Sequence, residues 1–399
     1  MFGKIRRVFD YDSRQLQCLA VSLVDNYFGG LAFFVGLYLH MKKYCLLTIM
    51  LLIVGCDNTA QPEALSSHHS EIAAKNVELL ILENSHVSLA VSPQMGGRVL
   101  ELSLNGKPNI LSVGDAVALN PEPEVTASAD NIGYLGHTVW LGPQSEWWKH
   151  QQVNSTRRDA AAAWPPDPWL VQSKNTVVGH SERLVEFAGV SSPVSGVQLN
   201  KRFSLDPLHP SRVKVAAEVI NIRETENVSW DIWFNTRVNA ATNVYVPVDG
   251  ESSLRKQTPF SDSASPLTYA IKDNVFTLLT PPPEAGKNER SGKFFIQPSQ
   301  GWLAAFNDDQ LLIIQFPLLD KSLIHPEQGH IELYMRYTGD KPEQGLLELE
   351  VHAAYKTLQP GKRMVAEETW ILLPYLGGND EASRLSFLQR EIIRLGALY

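Results

Sequence analysis

The sequence predicts an all-β fold, antiparallel sheets packed as a sandwich, on three observations. Apolar and polar residues alternate in many short runs, 24 Pro and 26 Gly punctuate those runs, and helical periodicity is confined to the C-terminus. Short strands with polar turns and no alternating helices exclude a parallel α/β arrangement. At 399 residues, 44% hydrophobic and 20% charged, the chain has an ordinary globular composition with enough apolar residues for a sizeable core. A formal charge of -8 with no basic stripe argues against nucleic acid as a partner, because phosphate binding needs clustered Lys and Arg.

From Met41 the chain reads MKKYCLLTIMLLIVGCDN. Two lysines, an apolar run from Tyr44 to Val54, the small Gly55 and then Cys56 make an export signal, and the run is short for a membrane span. The stretch resembles a bacterial lipoprotein signal with its lipobox. That resemblance implies cleavage before Cys56 and a lipid anchor on its sulfur, two or more acyl chains being enough for stable attachment. The expected location is the bacterial cell envelope, membrane-anchored and facing the periplasm. On this reading residues 1–40 are an upstream extension, 41–55 the signal peptide, 56–75 a polar tether and 76–399 the folded domain. A membrane anchor made of both apolar runs, Tyr27–Leu39 and Tyr44–Val54, is the alternative; His40, Lys42 and Lys43 between them would be costly in a bilayer. Residues 1–55 carry six Lys and Arg against three Asp and Glu, so the domain is more acidic than the chain as a whole. Cys18, Cys45 and Cys56 are the only cysteines, so nothing after position 56 can form a disulfide or a Cys-ligated metal site.

The domain opens as a meander. Val77–Leu82, Val87–Val91 and Arg98–Leu104 read as strands, the last running into an Asn105-Gly106 turn. Gly96-Gly97 allows a sharp bend or a close backbone approach to a neighbour. Residues 112–130 and 281–292 read as loops. Five of the nine tryptophans, Trp140, Trp147, Trp148, Trp164 and Trp169, lie between 140 and 169 among Gly and Pro that interrupt any continuous helix or central strand. Indoles stack on the C–H faces of sugars, so a sugar or polysaccharide ligand is one reading of this texture; a minor core of loop aromatics is the other. Strands recur to Arg363–Leu373, and after Asn379-Asp380 the apolar residues Leu385, Leu388, Ile392 and Leu395 fall at helical spacing, predicting an amphipathic helix over 380–397.

Two strands carry the chemistry. In SWDIWFNTRV, Trp230, Ile232, Phe234 and Thr236 face one way and Asp231, Trp233, Asn235 and Arg237 the other. A carboxylate, an indole, an amide and a guanidinium in one row suit a polar ligand such as a sugar; a merely wet outer face is the bland alternative. In LLELEVHAAYKTLQPG, Glu348, Glu350 and His352 share a face, where neighbouring carboxylates can raise a Glu pKa into a range useful for proton transfer. A solvent-facing charged row explains the same alternation.

The order of GGRVLELSLNGKPNIL, GHTVWLGPQSEWW, WDIWFNTRV and LELEVHAAYKTLQPGK resembles the galactose mutarotase-like superfamily. Within it the chain is most similar to a bacterial mutarotase-like family of the DUF4380 type that carries the WPPDP element. The resemblance implies a β-supersandwich whose concave face binds sugars. It further implies an aldose 1-epimerase-like activity in which Glu350 is the base, His137 or His352 the acid, and Arg98 a hydroxyl-binding residue, with no cofactor and no metal. The family's Asn-His motif on the central strand is absent, since that stretch has Asp231 and Asn235 but no His. Alternatives are a non-catalytic carbohydrate-binding module, a glycoside hydrolase or polysaccharide lyase using Asp231 with Glu350, and a structural envelope lipoprotein docking a protein partner.

Overall fold

A computed structural model describes residues 77–396 apart from 258 and 260. The signal, Cys56 and the tether lie outside the described residues. Among the described residues no helix is long and apolar enough to cross a membrane.

The architecture is the expected antiparallel β-supersandwich with a C-terminal helix. One sheet runs Leu80–Glu83, Val87–Ser92, Arg98–Leu104, His137–Gly142, Val228–Asn239, Leu346–His352, Ile331–Thr338, Glu289–Ile296 and Leu254–Gln257, with two short strands attached off this path. We call it the site sheet. The second sheet holds, among others, Val197–Leu205, Arg212–Asn221, Gln310–Gln315 and Arg363–Pro374. Its strands show the pattern expected of a half-buried sheet: along Arg212–Asn221, Val213, Val215, Ala217 and Val219 are buried while Lys214 is exposed. Their inward residues meet those of the site sheet, including Ile232, Phe234, Leu349 and Val351, in one continuous core.

Val228–Asn239 departs from that pattern. Trp230 through Val238 are all buried, on both faces, so the row of Asp231, Trp233, Asn235 and Arg237 is covered and is not a wet outer face. Two segments read as irregular turn out to be strands. His137–Gly142 pairs with Val228–Asn239, and Glu289–Ile296, which overlaps the predicted loop 281–292, pairs with Ile331–Thr338. In both, the run between Gly or Pro is too short for a clear two-residue period, and long-range pairing decides the conformation.

The helix forms at Glu381–Arg394, where the Asp380 side chain accepts from the backbone N–H of Ser383. It buries Leu385 and Leu388 on the outer face of the second sheet against Phe306, Ile313 and Tyr375.

Gly96 and Gly97 have φ of +76° and +66°, and a Cβ on Gly96 would lie 2.4 Å from the Leu170 carbonyl oxygen. The close neighbour is therefore the Pro168–Val171 turn that follows WPPDP. Asp167 anchors the same turn, its carboxylate accepting from the hydroxyl of Ser192 and the backbone N–H groups of Ser195 and Trp169. Gly96→Ala, which adds a left-handed non-glycine residue to a steric clash, is expected to cost at least about 1–3 kcal/mol. Equilibrium denaturation measures it; a change near zero would show that the turn can yield.

Candidate functional site

The site sheet's covered face is organised in rows that its register fixes. Arg237 lies opposite Glu348, Glu348 opposite Tyr334, Tyr334 opposite Lys293 and Lys293 opposite Gln257. One row along, Thr138, Asn235, Glu350 and Glu332 follow one another across four strands. In the third row, Trp140 lies opposite Trp233 and Trp233 opposite His352. The two polar strand faces thus converge on one basin, a cavity of about 610 Å³. Its floor carries Arg237, Glu348, Tyr334, Lys293 and Gln257, and Trp140, Trp164 and Trp233 form its aromatic side.

The indoles hold each other. Trp140 meets Trp233 edge-on at 5.0 Å and Trp164 at 6.2 Å, and Trp147 stacks on Trp233 at 5.9 Å. Trp164 is 47% exposed and forms the open lip. The guanidinium of Arg237 sits 4.7 Å over the Trp140 ring while its Nε donates to Glu348 Oε1 at 2.7 Å. Its Nη1 has no partner in the protein.

Under this floor runs a ladder of alternating charge. The Asp231 carboxylate lies 3.2 Å from His352 Nδ1, and His352 Nε2 lies 3.4 Å from Glu332. Glu332 is 2.5 Å from Lys293 Nζ, which donates to Glu350 at 2.8 Å. Each member comes from a strand whose register brings it there, and all but Lys293 are essentially unexposed. Burial alone would drive each group neutral. For His352 burial is outweighed by Glu332 and Asp231, which raise its pKa to about 9. For Glu332 it is outweighed by Lys293 and His352, which lower its pKa to about 2. Glu350 goes the other way: burial, with Glu348 and Glu332 nearby, overcomes Lys293 and raises it to about 8. One ammonium flanked by two buried carboxyls keeps one of them ionised, and the other holds its proton. Burial also raises Asp231 despite His352.

Glu332, Glu350 and His352 place three potential ligand atoms within 4.8 Å of one another. The Lys293 ammonium stands within hydrogen-bond distance of both carboxyls and supplies the positive charge there, so a cation would have to displace it.

Several predicted site residues belong elsewhere. His137 lies opposite Thr236, on the sandwich-facing side of the sheet; its Nδ1 is 2.9 Å from Thr236 Oγ1 and its ring meets Trp370 of the second sheet at 4.7 Å. Because successive strand residues face opposite ways, His137 and Glu350 flank the sheet from opposite sides and cannot serve one sugar ring. Trp148 is buried with its indole N–H on the Pro165 carbonyl, and Trp169 is half-buried against the core. Neither reaches the cavity. Trp147 lies behind Trp140 and Trp233 as a buried support. Glu350, Asn235, His352 and Asp231 lie beneath the floor, wholly buried. Asp231 and Glu350 are on one face with His352 between them, and both are wholly buried and do not border the basin, so neither presents its carboxyl to a glycosidic bond held there. Arg98 borders the cavity while donating to the carbonyls of Met95, Leu135 and Val171, so its guanidinium is committed to holding loops.

Lys293, Glu332, Tyr334 and Gln257 were not anticipated. Glu332 and Tyr334 were signalled by the alternation in IELYMR, the same period that marks LELEVH. Lys293 and Gln257 lie on strands with no such period.

The pKa directions set a pH dependence. His352 is raised, so its contribution to stability is complete below its ordinary value of 6.5 and is lost as pH rises through about 9. Glu350 is also raised, so its contribution declines from pH 4.5 upward and is gone beyond about 8. Glu332 is lowered, so its contribution is present above 4.5 and lost as pH falls toward 2. The thermal midpoint is expected to fall as pH rises from about 5 to about 9, and Glu350→Gln, neutral throughout, is expected to move the onset of that fall upward. A midpoint flat across this range would contradict the ladder.

Among solved structures, the chain is similar to a putative aldose 1-epimerase from Escherichia coli K12, with 13% identity, 75% of this chain and 99% of that one covered, and a TM-score of 0.41. It is also similar to a galactose mutarotase related enzyme from Lactobacillus acidophilus (10% identity, 74% and 97% covered, TM-score 0.46). A third likeness is to a GalM/aldose epimerase homologue from C. elegans (11% identity, 75% and 99% covered, TM-score 0.44). No curated protein matches the chain. Residues 77–373 match the family described as Domain of unknown function (DUF4380), and the chain belongs to that family.

Proposed function

We propose that the protein is a carbohydrate-binding protein of the bacterial cell envelope that holds a saccharide in the basin without transforming it. The observation that carries this reading is the pairing of an indole side, Trp140, Trp164 and Trp233, with a floor of fixed polar groups in which the Arg237 guanidinium has an unpaired N–H. Aromatic faces suit sugar C–H surfaces, and a buried donor without a partner gains free energy from a hydroxyl or carboxylate that accepts from it.

Ring opening of a free aldose needs a proton donor and an acceptor within hydrogen-bond reach of one ring. Here Glu350 is buried beneath Lys293, His352 is held between two carboxyls, and His137 faces the sandwich core. These placements favour binding over epimerisation.

Trp164→Ala is expected to weaken binding of the best ligand on a glycan array by tenfold or more while leaving the melting temperature unchanged, since the side chain is half exposed. Isothermal calorimetry measures the first effect. The protein is also expected to leave the α/β anomer exchange of glucose, galactose and galacturonate at its spontaneous rate. Acceleration that Glu350→Gln abolishes would restore the epimerase reading, and an array with no bound glycan would favour docking of a protein partner.

The export signal and Cys56 support lipid anchoring in the envelope, facing the periplasm. Metabolic labelling with an alkyne fatty acid in a bacterial host is expected to mark the protein, and Cys56→Ser to abolish the label and release the protein from the membrane fraction. Retention of the Cys56→Ser protein in membranes would instead support the two-run anchor.

A further inference from the structure

A second cavity, of about 650 Å³, opens beside the first. Arg255 and Phe295 border it, and they lie two residues along their strands from Gln257 and Lys293, which border the basin. Arg255 is opposite Phe295 as Gln257 is opposite Lys293. Residues two apart on a strand share a face, so both cavities stand on the same face of the same strands. Between the linings of the two cavities the Arg255 guanidinium donates to the carbonyl oxygen of Glu327, a residue whose side chain is exposed at the basin's edge.

The second cavity repeats the chemistry of the first. The Arg255 guanidinium sits 3.5 Å over the Phe295 ring, as Arg237 sits over Trp140. His325 and Tyr355 meet edge-on at 4.8 Å and supply a half-buried aromatic surface at the far side. The buried His330 Nδ1, in a residue 1% exposed that borders this cavity, has no partner in the protein. Each cavity alone falls in the range of about 300–1,000 Å³ that accommodates a drug-sized ligand, well above what one hexose ring fills.

Resting on the carbohydrate reading above, we propose that the two cavities are the halves of one groove, and that the ligand is a linear oligosaccharide or polysaccharide strand crossing from Trp164 to Tyr355 rather than a free monosaccharide. The Arg255–Glu327 contact is then a saddle over which the strand passes, with a guanidinium on an aromatic ring on either side of it.

The test is the dependence of affinity on chain length in the full chain, measured by calorimetry with maltose-type, cellulose-type, chitin-type and galacturonate oligomers of one to six units. In whichever series binds, affinity is expected to rise at least tenfold from one unit to six. Tyr355→Ala and His325→Ala are each expected to reduce that ratio severalfold, with circular dichroism melts confirming that the variants fold. Equal affinity for one unit and six overturns the groove while leaving a sugar site in the basin. A length gain that survives both substitutions in folded protein overturns it as well. No binding at any length in any series overturns the carbohydrate reading and the groove together.

Discussion

The structure of the covered face depends on Lys293 standing between Glu332 and Glu350. A lone ionised group at that depth would cost several kcal/mol, and two carboxylates without a cation would cost more. Alternation removes most of that cost: Asp231, His352, Glu332 and Lys293 each neutralise the next, and Glu350 completes the series by keeping its proton. The arrangement also fixes register. A one-residue slip of any contributing strand would carry its charged group into the apolar space between the sheets and its apolar residues into the ladder. Phe234 and Val351, which now pack in the core, would be exchanged for Asn235 and Glu350. Specificity of strand pairing is what these buried charges contribute most directly, whatever their net effect on stability.

Above the ladder, Trp140 and Trp233 of the aromatic wall stand on strands and Trp164 on a loop, and the loops around them need their own fixed points. Arg98 supplies one by donating to carbonyls from three separate segments. Asp167 supplies another at the turn after the WPPDP run, and the glycines at 96 and 97 let that turn approach to contact distance. The tryptophans of this region accordingly divide into supports and surface. Trp147 and Trp148 spend their indole N–H groups on the backbone carbonyls of Leu141 and Pro165, whereas Trp164 has an exposed face. A rigid wall loses little conformational freedom when a ligand arrives.

The fold was legible in the sequence because its signals are local. Period-2 alternation placed most strands within a residue or two, and the cap and spacing at 380–395 placed the helix. The chemistry was legible only by row: Asp231 to Arg237 and Glu348 to His352 do share a face, as alternation required. What a row cannot reveal is depth. Glu350 and Glu348 are indistinguishable in sequence, yet one lies wholly buried under Lys293 and the other borders the basin. His137 was misplaced for a related reason, since its side depends on pairing with Thr236, a contact ninety-nine residues away. Lys293 escaped notice because Glu289–Ile296 carries turn-forming Ser and Gly and becomes a strand only through its neighbours.

The distinction between closed and open polar groups decides what the basin can do. In the ladder every charge is answered by another protein charge, so a ligand gains little by approaching it and any proton taken from it must be replaced against several neighbours. On the floor itself the situation is reversed: Arg237 uses its Nε for Glu348 and sits over the Trp140 ring, which orients the guanidinium while its Nη1 is left without a partner. Fixed orientation with unspent hydrogen-bonding capacity is the condition for recognising a polar ligand at low cost in ordering. Catalysis by proton transfer would require the opposite allocation, an acid or base at the rim with room to exchange its proton. The titratable groups of the ladder lie under the floor, whereas the unspent Arg237 donor belongs to a residue that borders the basin. That separation is why the geometry favours holding a saccharide over opening it.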